Sequence, residues 1–137
     1  MRVSLLLLPA LLLSANTAWA LDTYCQSSGT HVHNGGHYEA TWTVVHPKAR
    51  RVQMPGQTKG TTWCSISYSS VGAMYRPIEI IKPPKNGKAM VSSTYRVSYQ
   101  AAKMGPDELT IRIYWIGTGD LRTATVRYNI QVIDRPL

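Results

Sequence analysis

Asp107-Glu108-Leu109-Thr110-Ile111-Arg112-Ile113-Tyr114-Trp115-Ile116 and, beyond Gly117-Thr118-Gly119-Asp120, residues 121–133 decide how this chain folds. In the first run Leu109, Ile111, Ile113 and Trp115 share one parity, and Glu108, Thr110, Arg112 and Tyr114 take the other. In the second, Ala124, Val126, Tyr128, Ile130 and Val132 alternate with Thr123, Thr125, Arg127, Asn129 and Gln131. Successive side chains of an extended chain point to opposite faces, so each run is a strand with one buried face; a helix would scatter the same apolar residues around its circumference. The glycine-rich link ending in Asp120 predicts a tight hairpin with a slightly long loop.

Outward from that hairpin, strands are predicted over residues 22–27, 37–45, 61–68, 76–82, 88–91 and 94–99, with a weaker one over 50–54. Within 37–45, Tyr38, Ala40, Trp42 and Val44 share a parity, and His46-Pro47-Lys48 ends the run because proline donates no ladder hydrogen bond. Pro83-Pro84 stops residues 76–82, and the Asn86-Gly87 pair signals a type I′ turn leading into Lys88. Residues 101–104 form a short connector with room for one helical turn, and Gly105-Pro106 opens the terminal hairpin. Seven or eight strands with regularly spaced turn signals imply an all-β antiparallel sandwich, not a parallel α/β sheet.

The N-terminus carries Arg2, then an apolar run over residues 3–13, then small and polar residues ending in Ala18-Trp19-Ala20. That pattern predicts a signal peptide over residues 1–20, a mature start at Leu21 and an exported protein, periplasmic or secreted. The apolar run is shorter than the roughly 20 residues that span a bilayer, so no transmembrane segment is expected after cleavage. Asp22, Thr23 and Tyr24 do not make a lipobox ahead of Cys25. Removing 20 of the 137 residues leaves 117, a single domain over 21–137. Arg2 is the only charge removed, so the net charge falls from +8 by one, to +7. Two cysteines, Cys25 and Cys64, predict one disulfide in an oxidising compartment, and no CxxC spacing supports a redox or metal role for them.

The second half is familiar in outline. Pro84-Lys85-Asn86-Gly87, then Tyr95 and Tyr99, then Gly105-Pro106-Asp107-Glu108-Leu109-Thr110, then Ala124-Thr125-Val126 and Ile130-Gln131-Val132 follow in that order. Over residues 76–134 this resembles the bacterial Ig-like, cadherin-like repeats of exported proteins. The resemblance implies an Ig-like β-sandwich acting as a binding or structural module, with no catalytic residues to carry over. The acidic clusters that bind calcium at some cadherin-like junctions have no counterpart here, since Asp107-Glu108 is the only adjacent acidic pair. The antibody pattern fits poorly too: Thr62, not tyrosine, stands two residues before Cys64.

Three groups of residues could carry function. His31, His33 and His37 flank an Asn34-Gly35-Gly36 turn, with His46 further on, and could offer imidazoles to Zn²⁺ or Cu²⁺; the bland alternative is a solvated loop. Lys48, Arg50, Arg51 and Lys59 form one basic group, and Lys82, Lys85 and Lys88 a separate one. They either guard strand edges or attract an anionic envelope polymer or an acidic envelope or extracellular protein. Nucleic acid is not expected, because export removes the protein from it and no reader motif accompanies the charge. Tyr68, Tyr75 and Tyr114 are expected to be exposed, where they could line a carbohydrate or protein contact.

Catalysis finds little footing. No G-x-S-x-G elbow is present, and Asp22, Glu39, Glu79, Asp107, Glu108, Asp120 and Asp134 are dispersed or stand at strand starts. The expectation is a non-catalytic envelope module without a cofactor. The rival readings are a periplasmic Zn/Cu-binding protein and a small secreted hydrolase or inhibitor whose residues assemble from distant positions.

Overall fold

The computed structural model describes residues 24–29, 31–49, 63–68, 74–135 and 137. The expected leader, the weak strand over 50–54, and Arg50, Arg51 and Lys59 lie outside the described residues. Eight strands are seen among them: β1 (Cys25–Ser27), β2 (His37–Val45), β3 (Cys64–Ser67), β4 (Met74–Lys82), β5 (Gly87–Ser93), β6 (Arg96–Ala101), β7 (Gly105–Ile116) and β8 (Leu121–Ile133). One sheet has the order β1-β2-β8-β7-β4 and the other β3-β6-β5. The alternation in β7 and β8 buries Leu109, Ile111, Ile113, Val126, Tyr128, Ile130 and Val132 against Trp42 and Val44 of β2. Val97, Tyr99 and Ala101 of β6, with Cys64 and Tyr68, close the same core from the second sheet.

The two longest strands form the terminal hairpin, paired from Gly105↔Val132 to Ile116↔Leu121. Gly119, at φ 94°, supplies the left-handed residue that its loop requires. The expected antiparallel arrangement is corrected at one seam: β2 runs parallel to β8, from His37↔Thr125 to Val45↔Ile133. Parallel neighbours need a long crossover, and here the rest of the chain, from β3 to β7, lies between them. Edge strand β4 shifts register between Arg76 and Glu79, around Pro77. Proline and a bulge both discourage further strand addition at an open edge.

The Asn86-Gly87 expectation is also corrected. No non-glycine residue among those described has positive φ, and Gly87 is not among the positive-φ glycines, so the pair makes no type I′ turn. Residues 83–86 instead cross from β4 in one sheet to β5 in the other. Gly87 is required there for space, since a Cβ would lie 2.6 Å from the Gln100 carbonyl oxygen and 2.7 Å from the Tyr99 ring. Residues 102–104 form a bend with no helical turn.

Cys25 and Cys64 are disulfide-bonded, with Cα atoms 5.8 Å apart. The bond ties edge strand β1 of one sheet to edge strand β3 of the other. Closing a loop of this length contributes about 4 kcal/mol on the chain-entropy account.

Tyrosine phenols occupy the core between the sheets. Trp42 packs on Tyr99 and Tyr128 at ring-centroid distances of 5.8 and 5.4 Å. The Tyr68 and Tyr128 hydroxyls are hydrogen-bonded to each other, and the Tyr99 hydroxyl donates to Asp107 Oδ2 at 2.9 Å. Tyr68 was expected to be exposed and is buried, because Cys64, Ile66 and Tyr68 share an inward parity and the Tyr68 amide is held by the Tyr95 carbonyl at 2.8 Å. Burial pushes the Tyr68 phenol far above its ordinary value, with Tyr128 adding to the effect. Burial and then Asp107 do the same to Tyr99. Burial takes Tyr128 up to about 12, against a smaller opposing contribution from its bond with Tyr68.

The folded protein therefore holds these phenols neutral where an unfolded chain would ionise them, near pH 10. Their contribution to stability is complete below about pH 10 and is lost as the pH rises through the folded values. A series of urea midpoints should be flat between about pH 7 and 9 and fall steeply between about pH 10 and 12, with phenolate absorbance from the buried tyrosines appearing only on unfolding. A midpoint unchanged to about pH 11.5 would contradict the assignment.

Candidate functional site: a basic end and its groove

Asp107 organises one end of the molecule. It stands at the start of β7, and its carboxylate accepts four hydrogen bonds. The backbone amides of Lys85, Asn86 and Glu108 donate at 2.9, 3.1 and 2.9 Å, and the Tyr99 hydroxyl is the fourth donor. One side chain thus ties the β4–β5 crossover to β7 and to β6 of the opposite sheet. Asn86 adds to the knot: its side-chain amide donates to the Pro106 carbonyl at 3.2 Å, and its own carbonyl accepts from the amides of Ala102 and Lys103.

The knot extends to the end of β2. His46 Nδ1 accepts the Lys48 amide at 3.2 Å, which leaves Nε2–H to donate to the Ala102 carbonyl, also at 3.2 Å. Lys48 lies in the 3₁₀ turn Pro47–Ala49. Lys48, the described member of the first basic group, therefore stands at the same end as Lys82, Lys85 and Lys88 of the second. Lys103, which sequence reasoning did not single out, joins them from the β6–β7 bend. Among the described residues Lys48, Lys85, Lys88 and Lys103 make no ion pair, whereas Lys82 does.

Lys82 belongs to a charge ladder across the outer face of the larger sheet. Lys82 Nζ meets Glu108 Oε1 at 2.7 Å, Glu108 Oε2 meets Arg127 Nε at 3.0 Å, and Arg127 Nη1 meets Glu39 Oε1 at 3.4 Å. The Lys82 bond is the largest influence on Glu108 and, with Arg127, holds its carboxyl below the usual range against a smaller opposing effect of burial. These groups are solvent-screened, so they set position on the face more than they add stability.

Beside the ladder lies a groove of about 740 Å³. Its floor is read from register: Thr41 pairs with Asn129 and Thr43 with Gln131, and these in turn neighbour Glu108 and Pro106 of β7. Pro83 and Lys85 form its side at the crossover. Thr41, Thr43, Asn129 and Gln131 are on the solvent-facing parity, and none of their side chains hydrogen-bonds to another described residue. Sequence reasoning missed this groove. Each residue was visible as the polar half of an alternating strand, but the parallel β2–β8 register that aligns them was not.

The histidines lie elsewhere. The amide of Gly36 donates to the His33 carbonyl, those of Gly35 and Thr125 engage β8 and Gly36, and Asn34 Oδ1 accepts the Thr123 amide. The His33 amide is bonded to the Tyr38 hydroxyl at 2.8 Å. This loop stands at the end opposite the lysines. His31, His33 and His37 are exposed, and among the described residues no group of three or more His, Cys, Asp or Glu side chains is gathered as a metal site. His46, the suggested fourth ligand, is committed to Lys48 and Ala102. Tyr75 is half-buried beside Tyr95, and the Tyr114 hydroxyl donates to Glu79 at 2.5 Å.

No family model matches this chain, and no curated protein matches it in sequence. No described helix is long and apolar enough to cross a membrane.

The Glu108 carboxyl provides a direct check on the ladder. Its NMR titration midpoint should lie below that of an ordinary glutamate, near 4.3, and should move upward in Lys82→Ala. An unshifted midpoint in both proteins would show that the ladder does not hold in solution.

Proposed function

We propose that this chain is an exported, non-catalytic binding module of a bacterial envelope, built as an Ig-like sandwich, whose basic end engages an anionic envelope polymer. The observation that carries it is the convergence of Lys48, Lys85, Lys88 and Lys103 on one end without ion-pair partners among the described residues. A structure that guarded strand edges alone would have no reason to gather lysines from three different connections. Like charge gathered at one end favours a partner that supplies the opposite charge.

The architecture supports the Ig-like part of this reading. The three-stranded sheet β3-β6-β5 and the β8-β7-β4 set correspond in order to the B-E-D and G-F-C sheets of Ig-like sandwiches, with β2 placed parallel to the last strand. Asp107 physically joins the two segments, Pro84-Lys85-Asn86-Gly87 and Gly105-Pro106-Asp107, on which the resemblance to cadherin-like repeats of exported proteins rests. The Cys25–Cys64 disulfide suits an oxidising compartment.

Titration of the purified protein with inorganic polyphosphate, at about 50 and 200 mM salt, tests the basic end. Binding should weaken several-fold at the higher salt and several-fold again in Lys48→Ala/Lys88→Ala/Lys103→Ala. Salt-independent binding, or a triple variant that binds as the parent does, would refute the proposal.

A further inference from the structure

The groove differs in chemistry from the basic end it adjoins. Among the described residues its charges balance: Lys82 is paired with Glu108, and Asp107 is saturated by four donors, leaving Lys85 as the lining cation with no ion pair among them. The remaining lining offers neutral hydrogen-bonding groups on Thr41, Thr43, Asn129 and Gln131, with two proline rings at the edge. A polymer of closely spaced phosphates would meet too little positive charge here. An extended peptide adding to a sheet needs free backbone amides and carbonyls, and these lie at strand edges, whereas the groove spans the face of β2, β8 and β7.

Hydroxyl and carboxamide side chains both donate and accept, which is what a ring bearing several hydroxyl groups requires of its partner. The Pro83 and Pro106 rings add apolar contact for the C–H groups of such a ring. A volume of about 740 Å³ suits a ligand of a few rings. We infer that the groove seats a saccharide segment of an acidic polysaccharide, with hydroxyls on Thr41, Thr43, Asn129 and Gln131 and a uronate carboxylate on Lys85. This inference rests on the reading of the adjoining end as the polyanion-attracting surface. That surface would bring the polymer to the protein, and the groove would recognise its sugar.

The test uses the purified protein, hexamers of galacturonate and of mannuronate, their methyl-esterified neutral forms, and inorganic polyphosphate, followed by calorimetry and amide chemical shifts. At least one uronate hexamer should bind and shift the Asn129 and Gln131 side-chain amide signals. Asn129→Ala/Gln131→Ala, both exposed positions, should weaken that binding by about tenfold, from two lost hydrogen bonds, and leave polyphosphate binding unchanged. Lys85→Ala should weaken binding of the acidic hexamer and spare its methyl ester. Uronate affinity that is absent, or indifferent to Asn129→Ala/Gln131→Ala, while polyphosphate still binds would overturn the groove inference and leave the basic end standing. Loss of both polyphosphate and uronate binding in the parent protein would overturn the two together.

Discussion

The structure turns on the carboxylate of Asp107. A two-sheet fold with a four-residue crossover between sheets must satisfy the backbone groups of that crossover without a regular ladder, because residues 83–86 belong to neither sheet. Asp107 accepts the Lys85 and Asn86 amides on one side and the Tyr99 hydroxyl on the other, so the crossover is fixed to both layers at once. Hydrogen bonds to an ionised acceptor are stronger than neutral ones, and four of them on one carboxylate define a single geometry. From that geometry follow the position of Lys85 at the groove, the close approach of Gly87 to Tyr99, and the anchoring of the Ala102–Lys103 bend on Asn86.

The same constraint explains how a protein with so few acids holds its lysines together. Asp107 and Glu108, neighbours in sequence, divide the work. One points inward to organise backbone, and the other joins Lys82 and Arg127 on the outer face. Asp107 and Glu108 are thus spent on structure, and exposed Asp134, just past the end of β8, makes no ion pair among the described residues, so the remaining lysines keep their charge available to solvent. At the opposite end the histidine-bearing loop is held by backbone bonds to β8 and by Tyr38, an arrangement that fixes chain direction.

Much of the scaffold was legible from alternation alone. The parities of residues 107–116 and 121–133 gave the hairpin and its buried face, and residues 37–45 were bounded as β2 is, because proline and glycine mark both of its ends. Less legible were features that depend on register between distant strands. Parallel pairing of β2 with β8 has no local signature, so the alignment of Thr41 with Asn129 and of Thr43 with Gln131 could not be read in advance. Asn86-Gly87 misled for a related reason: its local turn preference yielded to Asp107, a residue 21 positions away. Tyr68 shares the inward parity of Cys64 and Ile66, so the signal for its burial is present in the sequence. Lys103 stood alone in the chain and acquired company only through the bend that Asn86 holds.

Hydrogen exchange at the Lys85 and Asn86 amides, compared between the parent protein and Asp107→Asn, tests this organisation most directly. Asparagine keeps one accepting oxygen and turns an N–H₂ group toward the former donors. The two amides should then exchange at least about tenfold faster, while the interior amides of β7 and β8 change far less. Equal protection of Lys85 and Asn86 in both proteins would mean that Asp107 does not hold the crossover, and the account of the basic end built on it would fall.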